Sequence, residues 1–340
     1  MALSPAFNGY RAKLFTKVEK INKTLKMFKT DFRPVLNQMA SRIEKRTGFL
    51  WPSFAKYGPQ YNPLPLKIPS GQNHQVPSNP PLISVVIPSF NQGSFLEKAI
   101  SSLLDQNYPR LELIIIDGGS TDNSLKILNK YSSNFTWWCS GPDRGQAHAL
   151  NKGFKHATGD IMAWLNADDR HLPDTLAAIS AFMAGRPDVD VAYGHRILID
   201  EDDKEIGRWI LPAHNDTVLT WADFIPQETL FWRRTLWRKV GGRLNESFQF
   251  AIDWDLLLRF REAGAKMVRL PYFLGLFRIH PNQKTSALIE QRGFQEMQIL
   301  RRRCLGYFPQ SYRIAMGVAG YLLRARLAEI MRPVRLAANC

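Results

Sequence analysis

From residue 82 onward, short apolar runs alternate with amphipathic stretches of helical length. The predicted strands are residues 83–87, 111–116, 135–139 and 161–165, and the predicted helices are residues 94–104, 122–131 and 145–157. Continuous apolar strands joined by helices are typical of a parallel sheet that is buried on both faces. The sequence therefore predicts an α/β fold with a mostly parallel sheet.

Polar clusters follow three of the predicted strands at the point where each strand ends. They are residues 88–91, residues 117–122 and residues 166–169. Ligands of parallel sheets bind outside the carboxyl ends of the strands, and neighbouring strands are only about 5 Å apart. We therefore expect these clusters to lie close together and to form a binding site.

Asp168 and Asp169 are adjacent carboxylates in the last of these clusters. Adjacent carboxylates repel each other unless a cation is bound. Their hard oxygens suit Mg²⁺ or Mn²⁺, which share their coordination sphere with phosphate oxygens. The alternative is that one of the two acids only caps a helix that begins near Pro173.

The net charge of +15 is unevenly distributed along the 340 residues. Residues 1–70 hold 13 Lys and Arg against 3 acids, residues 71–290 hold 23 against 25, and residues 291–340 hold 9 against 2. A nucleic-acid enzyme normally carries its basic surface on the part that performs the chemistry. The nearly neutral middle therefore argues against nucleic acid as a partner, and the basic ends favour docking on an anionic surface.

Both basic ends contain amphipathic stretches. An apolar stripe with helical spacing, surrounded by lysines, consists of Leu14, Val18, Ile21, Leu25 and Phe28. The stripe predicts a helix that lies on a membrane surface or packs on the protein's own core or on a second copy. Residues 307–336 mix apolar runs with arginines. This pattern predicts either interfacial helices or helices packed on the rest of the chain.

Residues 57–81, which precede the predicted sheet, are rich in Pro, Gly, Asn and Gln and predict a linker or an extended arm. The three cysteines are far apart in sequence with no CxxC spacing, so we expect a reducing compartment without a disulfide framework. No apolar run reaches the roughly 18 residues of a spanning helix, and the first residues lack the layout of a signal peptide. The expected location is the cytoplasm.

Five motifs occur in one order along residues 82–169. They are Ile87-Pro88-Ser89-Phe90-Asn91, Asp117-Gly118-Gly119-Ser120-Thr121-Asp122, Gly141-Pro142-Asp143-Arg144-Gly145-Gln146, Asn151-Lys152-Gly153 with Ala157-Thr158-Gly159-Asp160, and Trp164-Leu165-Asn166-Ala167-Asp168-Asp169. Together they resemble the family 2 glycosyltransferases, inverting enzymes of the GT-A fold. The resemblance extends from about residue 82 to residue 286. It implies a GT-A type, Rossmann-like nucleotide-binding core with basic helical N- and C-terminal extensions.

This resemblance also implies roles for single residues on the donor side. The first strand tip and Asp117 would hold the base and ribose of a sugar nucleotide. Asp168 would bind the Mg²⁺ or Mn²⁺ ion that bridges its diphosphate. The residues expected to bind the sugar nucleotide are Pro88, Ser89, Phe90, Asn91, Asp117, Gly118, Asp143, Arg144, Lys152, Asn166, Asp169 and Lys284.

Two positions depart from the family's pattern. The first acid of the usual Asp-x-Asp is Asn166 here, and the second acid of the usual Asp-Asp-Gly-Ser turn is Gly118. The loss of a charge at Asn166 weakens the metal side, so Asp169 is expected to compensate for it.

Two cations stand beside glycines that let the backbone approach a ligand closely. Arg144 and Lys152 are therefore candidate partners of a diphosphate. The alternative for both is a solvated helix face. Asp143 and Arg144 lie in a predicted turn outside any periodic helix, which favours a functional role for these two.

The second half of the resemblance concerns the acceptor. Inverting transfer needs a carboxylate to take the proton of the attacking hydroxyl, and Asp253 stands where the family's base usually lies. Ile252 occupies the position where a Glu often precedes that base. The alternative is that Asp253 and Asp255 cap and charge the start of a helix that runs through Phe260.

Residues 277–286 resemble the family's loop that closes over the diphosphate. His280 would ligate the metal or donate to the leaving phosphate, and Lys284 would neutralise it. A lone histidine is more often a structural residue, which is the alternative for His280.

These observations predict a metal-dependent glycosyltransferase that moves a sugar from a UDP-, GDP- or dTDP-sugar to a glycan or lipid-linked acceptor. The alternative is a non-catalytic nucleotide- or glycan-binding module that docks through its basic ends. The predicted parts are an amphipathic helix and Pro-rich linker (1–80), a donor subdomain (81–190), an acceptor-side subdomain (191–290) and a basic helical tail (291–340). Two further partners are left open. One is the anionic inner face of the cytoplasmic membrane, and the other is a second copy of the chain in a homo-oligomer.

Overall fold

A computed structural model describes residues 59–68, 74–281, 283 and 292–336 of the chain, with side chains up to residue 328. The predicted N-terminal stripe around Leu14 and the predicted phosphate partner Lys284 lie outside the described residues.

One sheet of nine strands organises the described residues. The strands are β1 (Ile83–Ser89), β2 (Leu111–Asp117), β3 (Trp137–Ser140), β4 (Ile161–Trp164), β5 (Arg170–His171), β6 (Val191–Ile199), β7 (Glu205–Trp209), β8 (Phe231–Arg233) and β9 (Met267–Arg278). Their order across the sheet is β3-β2-β1-β4-β8-β6-β9-β5, and β7 pairs with β6. The strands β1 to β4 pair only in parallel with one another, as the sequence predicts.

Helices connect and cover the strands. They are α1 (Leu96–Leu104), α2 (Ser124–Tyr131), α3 (Gln146–Phe154), α4 (Thr175–Gly185), α5 (Asp216–Leu219), α6 (Arg234–Lys239), α7 (Ile252–Glu262), α8 (Phe294–Leu305) and α9 (Ser311–Leu336). The predicted α/β class is confirmed, and the helices between the first four strands are α1, α2 and α3.

The parallel half of the sheet has a hydrophobic core on each face. Alternate residues of a strand point to opposite faces, so Val86 of β1 joins one core while Val85 and Ile87 join the other. On the Val86 face, α3 packs closely because it carries Gly153, where a Cβ atom would lie 2.4 Å from Val86 Cγ1. This double burial explains why the strands are continuously apolar.

The second half of the sheet mixes strand directions. The strand β8 runs antiparallel to both β4 and β6, and β9 runs parallel to β6 but antiparallel to β5. The sheet therefore continues through both predicted subdomains. The predicted "mostly parallel" description holds for β1 to β4 and for the long β6–β9 pair.

In the segment before β1, residues 59–68 and His74 run along this second half, in keeping with the extended arm that was one of the two predictions for residues 57–81. The Gln60 amide donates to Ile206 O at 2.7 Å, and Leu64 forms a β-bridge with Glu205. The ring of His74 packs edge-on against Tyr272 at 4.4 Å between centroids. These contacts attach the arm to β7 and β9.

The two C-terminal helices pack on the body around α5 and α7. Tyr321 of α9 is buried and lies 4.5 Å from the Phe224 ring, and the Arg301 guanidinium of α8 donates to Trp221 O at 2.8 Å. Arg303 forms an ion pair with the buried Asp255 at 2.6 Å. One face of the tail is therefore packed on the protein. This was the second of the two alternatives predicted for residues 307–336, helices packed on the rest of the chain.

Candidate active site

The first three strands end at the same edge of the sheet. Their pairing places Ser89 beside Asp117 and Asp117 beside Ser140. Beyond this edge lies a cavity of about 870 Å³. A cavity at the carboxyl ends of parallel strands is where the sequence analysis places the binding site.

Most of the predicted site residues line this cavity. They are Pro88, Ser89, Phe90, Gly118, Asp143, Arg144, Asn166, Asp168, Asp169 and Asp253. These residues come from both predicted subdomains, so the fold brings together side chains that are up to 165 positions apart in the chain.

Four predicted residues in the described part of the chain do not line the cavity: Asn91, Asp117, Lys152 and His280. The Asp117 carboxylate is fully buried and accepts hydrogen bonds from the Gly119 and Ser120 amides at 3.1 and 3.0 Å and from the Ser140 hydroxyl at 2.6 Å. The Asp117 carboxylate therefore shapes the turn that follows β2. Its contact with the nucleotide stays a prediction.

Asn91 also joins loops. Its φ angle of 52° turns the chain sharply after β1, and its side-chain oxygen accepts from the Thr121 amide at 2.9 Å. Lys152 lies half-buried in the last turn of α3, away from the cavity lining. Direct contacts of these two side chains with a diphosphate are not supported by their positions.

Gly118 leaves room for a carboxylate from another segment. A Cβ atom at Gly118 would lie 2.8 Å from Asp143 Oδ2 and 3.3 Å from the Phe90 ring. The other carboxylate oxygen of Asp143 accepts from the Gly145 amide at 2.7 Å, which fixes the side chain in the turn. Thus Asp143 occupies the space that a side chain at position 118 would need, and it does so beside the exposed Phe90 ring.

The Arg144 side chain lines the cavity mouth. It is 70% exposed and forms an ion pair with Glu246 at 2.7 Å. Glu246 also accepts from Asn151 at 3.1 Å. An exposed ion pair of this kind contributes little to stability, so the guanidinium can exchange its partner for a ligand phosphate at small cost.

Asp168, which follows β4, contacts His280, which follows β9. His280 Nε2 lies 3.1 Å from Asp168 Oδ2. His280 is 4% exposed and packs against the Phe95 ring at 4.9 Å, whereas the Asp168 side chain is 19% exposed and lines the cavity. The two predicted metal ligands are thus adjacent, although they come from segments more than 100 residues apart.

Asn166 and Asp169, which flank Asp168 in sequence, are hydrogen-bonded to each other. Asn166 accepts from Gln146 at 2.7 Å and donates to Asp169 at 3.2 Å, and Asp169 also accepts from the Arg278 amide at 3.0 Å. Burial, together with the neighbouring Asp168 and Glu228 carboxylates, raises the pKa of Asp169 well above its usual range. Each Asp169 oxygen already accepts a hydrogen bond from the protein while the residue lines the cavity, so its role as a compensating metal ligand stays a prediction. Neither acid caps α4, which begins at Thr175.

In the described residues, no group of three or more His, Cys, Asp and Glu side chains is arranged to hold a metal ion. A Mg²⁺ or Mn²⁺ ion is often held by only one or two protein ligands, with the rest of its shell from phosphate and water. The Asp168–His280 pair fits such an ion.

Asp253 and Asp255 differ although only one residue separates them in α7. Asp253 lines the cavity and also accepts from the Trp254 amide at 2.9 Å. Asp255 is 1% exposed and pairs with Arg259 at 3.0 Å and Arg303 at 2.6 Å. The geometry therefore leaves Asp253 as the candidate base and gives Asp255 a structural role.

Two cavity residues were missed from the sequence. Arg196 of β6 is buried, forms two hydrogen bonds with the buried Glu228, and lies against the Phe277 ring at 4.3 Å. Asp223 lines the cavity near Asp253, and burial together with the Asp253 charge raises the pKa of Asp223. The signal for Arg196 was present, since an arginine within an apolar strand requires a buried partner.

Comparison with known proteins identifies the class. The sequence model of the family described as Glycosyl transferase family 2 matches residues 84–259. An uncharacterised glycosyltransferase of Mycobacterium tuberculosis is 31% identical over 185 residues, which cover 53% of this chain and 68% of that protein. A PGL/p-HBAD biosynthesis glycosyltransferase of the same species is 31% identical over 183 residues, covering 53% of this chain and 69% of that protein.

Solved structures share the fold at lower identity. TarS of S. aureus (residues 1–349) in complex with UDP-GlcNAc has a TM-score of 0.55 and 17% identity, with 71% of each chain covered. The mannosyltransferase PcManGT of Pyrobaculum calidifontis, in complex with GDP-Man and Mn²⁺, has a TM-score of 0.53 and 18% identity, covering 84% of this chain and 80% of that one.

The fold is thus that of the GT-A glycosyltransferases. The chain belongs to glycosyl transferase family 2 and is a glycosyltransferase, as the motif order predicted. The alternative of a non-catalytic binding module is not favoured. Among the helices of the described residues, none is both long and apolar enough to cross a membrane.

Proposed function

We propose that this glycosyltransferase moves a sugar from a nucleotide diphosphate donor to a hydroxyl of a glycan or lipid-linked acceptor, with a divalent metal ion and with inversion. The observation that carries the proposal is one cavity lined both by Asp168, in contact with His280, and by Asp253. The first pair offers ligands for a metal ion, and the other carboxylate offers a base for a hydroxyl.

The donor is proposed to enter at the tips of β1 and β2. The Phe90 ring is 58% exposed beside Asp143, so it offers an apolar face to a nucleobase while the carboxylate accepts from the base or ribose. Two solved neighbours carry UDP-GlcNAc and GDP-Man, which supports a nucleotide-sugar donor. We leave UDP-, GDP- and dTDP-sugars as the alternatives.

The donor's diphosphate would lie between Arg144 and Asp168. When bound there, a divalent ion supplies positive charge to the departing diphosphate. Carboxylate and phosphate oxygens suit both Mg²⁺ and Mn²⁺, and the presence of an imidazole ligand favours Mn²⁺ over the harder Mg²⁺. The PcManGT neighbour, which contains Mn²⁺, supports the same choice.

The acceptor hydroxyl is proposed to approach from the side of α7. Asp253 takes its proton while the hydroxyl oxygen forms a bond to the anomeric carbon. The bond between that carbon and the diphosphate oxygen breaks, and its electron pair leaves with the nucleoside diphosphate. Attack on the face opposite the leaving group inverts the anomeric configuration.

The domain boundaries are part of this proposal. Residues 81–190 contribute the donor side, including Phe90, Asp143 and Asp168, and residues 191–290 contribute the acceptor side with Asp253. A peripheral place on the inner face of the cytoplasmic membrane would bring a lipid-linked acceptor to the site. The basic ends, at residues 1–80 and 291–340, are the parts proposed to make that contact.

A panel of sugar nucleotides tests the proposal. Purified full-length protein is heated with each UDP-, GDP- and dTDP-sugar in Mn²⁺, in Mg²⁺ and in excess EDTA, and slow hydrolysis of the donor is followed in parallel. One donor group should raise the unfolding midpoint in the presence of a metal, and EDTA should abolish both the shift and the hydrolysis.

Matched substitutions refine the panel. Asp168→Asn should abolish the metal-dependent shift, whereas Asp105→Asn, the same change at an exposed acid after α1, should leave it intact. A full shift in EDTA, or equal behaviour of the two variants, would reject the proposed metal site.

A further inference from the structure

The C-terminal helices expose large apolar side chains together with arginines. Eight of the exposed large apolar side chains of the described residues lie between positions 294 and 327. We call these residues, together with the exposed arginines of the segment other than Arg303, which pairs with Asp255 and Glu262, the tail surface. It consists of Phe294, Ile299, Tyr307, Phe308, Tyr312, Met316, Leu323, Leu327, Arg292, Arg302, Arg313, Arg324 and Arg326.

In α9 the exposed apolar side chains form one stripe. Tyr312, Met316, Leu323 and Leu327 recur at intervals of four and seven residues, which places them on one side of a helix. The buried residues Val318 and Tyr321 lie on the other side, against the protein body. Met316 is 73% exposed and Leu323 is 60% exposed, so the stripe faces away from the core.

Arginines flank this stripe, and the described residues 292–328 include no exposed acid. The single acidic side chain described between residues 292 and 328 is Glu296, which is buried and accepts from the Gln249, Phe250 and Ala251 amides. Arg302 lies over the Phe308 ring at 4.9 Å, and Arg313 lies over the Tyr307 ring at 5.6 Å. The tail surface therefore combines positive charge with exposed aromatic and aliphatic groups.

We infer that the tail surface docks on an anionic phospholipid bilayer. Aromatic and aliphatic groups enter the headgroup boundary while arginines contact lipid phosphates, which is the chemistry of interfacial helices. Exposed aliphatic residues such as Met316 and Leu323 suit the acyl chains of lipids. A surface that binds single-stranded nucleic acid instead carries aromatic side chains that stack on the bases beside a basic groove for the phosphates.

Charge also argues against the protein itself as the occupant. A second copy of the tail surface would bring arginines against arginines, because the described residues 292–328 carry no exposed acid. Residues 1–58 of the same chain hold 12 Lys and Arg against 3 acids, so they carry the same sign of charge. An anionic partner is the complement that remains.

The tail surface adjoins the cavity. Phe294, Met297 and Arg301 of α8 line the cavity on the side of Asp253 and Phe250. Docking through the tail surface would therefore hold the acceptor side of the cavity near the lipid headgroups. This inference rests on the proposed function for its acceptor, which would be lipid-linked, but the docking itself does not depend on turnover.

Sedimentation with lipid vesicles tests the docking. Full-length protein is mixed with vesicles of phosphatidylcholine alone or with one quarter phosphatidylglycerol, at low and high salt. The protein should pellet with the anionic vesicles, and salt should weaken this binding because the Debye length shortens.

Two double substitutions of the same chemistry distinguish a specific effect of the tail surface from an effect of the protein's overall charge. Leu323→Ser/Arg324→Glu removes an exposed leucine and reverses a charge on α9, and Leu125→Ser/Lys126→Glu does the same on α2. The α9 variant should lose about tenfold or more in vesicle affinity, and the α2 variant should bind like the unaltered protein. A second tail variant, Phe308→Ser/Arg302→Glu, should lose a similar amount. Circular dichroism and the unfolding midpoint check that each variant is folded.

Several outcomes would overturn the inference. They are equal losses in the α9 and α2 variants, vesicle binding unchanged in both tail variants, equal pelleting with neutral vesicles, or tighter binding to single-stranded nucleic acid than to vesicles. A dimer that the tail variants dissociate, without vesicle binding, would assign the tail surface to a second copy. Failure of the proposed function would give a different result. The protein would then bind no sugar nucleotide but would still bind the anionic vesicles.

Discussion

The two halves of the sheet hold their polar side chains in different places. In the parallel half, β1 to β4, residues such as Phe90, Asp143 and Asp168 lie beyond the strand ends and line the cavity. In the mixed half, β5 to β9, Arg196 and His171 are buried within the strands, although Arg196 also reaches the cavity wall. Groups beyond strand ends can meet a ligand, whereas buried charges must be paired by the protein itself.

This difference predicts two kinds of response to substitution. Removal of a polar side chain at a strand tip should change activity and leave stability nearly intact. Removal of a buried partner in the mixed half should lower stability, because an unpaired charge then remains inside. The following substitutions test the distinction in order of expected effect.

The largest effect is expected from Asp168→Asn. The substitution removes a ligand of the ion that would neutralise the departing diphosphate, so transfer should fall at least about a thousandfold. The unfolding midpoint should change little, since Asp168 is partly exposed at the cavity. Turnover is measured with saturating Mn²⁺, and full activity of the variant would remove Asp168 from the metal site.

A large loss of stability is expected from Glu228→Gln. The substitution leaves Arg196, which is 5% exposed, without its carboxylate partner, and such losses cost about 3–5 kcal/mol. The control is Asp188→Asn, which breaks the exposed Arg186–Asp188 pair and should have a much smaller effect. Urea denaturation measures both variants. A free energy of unfolding equal to that of the unaltered protein would mean that the buried pair is not required.

His171 should make the mixed half sensitive to acid. Burial lowers the pKa of His171 to about 4 from an ordinary value of 6.5. The folded state then binds fewer protons than the unfolded state between these values, so the stabilisation present above pH 6.5 is lost as the pH falls toward 4. The expected loss is about 3 kcal/mol.

Denaturation at pH 7 and pH 4.5 checks this prediction. His171→Gln should have a smaller difference between the two pH values than the unaltered protein, whereas His156→Gln, at an exposed ring, should retain the full difference. The same pH dependence in all three proteins would assign the acid sensitivity to other groups.

The parallel half of the fold was predictable because its signals are local. Each strand from β1 to β4 is a continuous apolar run, and each polar cluster follows its own strand directly in sequence. The positions of Pro88, Ser89, Phe90 and Asn166 at the cavity follow from this arrangement alone.

The mixed half and several contacts were not predictable because they depend on long-range pairing. Arg196 and Glu228 are 32 residues apart and meet only when β8 inserts between β4 and β6. Asp117 matched a motif position, yet its carboxylate is used by the turn that follows it. The separate roles of Asp253 and Asp255 required knowing that Arg303 of α8 packs on α7.

The central claim is that Asp253 acts on the acceptor while the donor is held elsewhere in the same cavity. The most direct test compares Asp253→Asn with the unaltered protein, by measuring the affinity for the responding sugar nucleotide and the rate of transfer to an acceptor. The amide keeps the shape of the side chain but cannot take a proton. We predict unchanged donor affinity and a rate lower by about 10²- to 10⁴-fold. An unchanged transfer rate would contradict the assignment of Asp253 as the base.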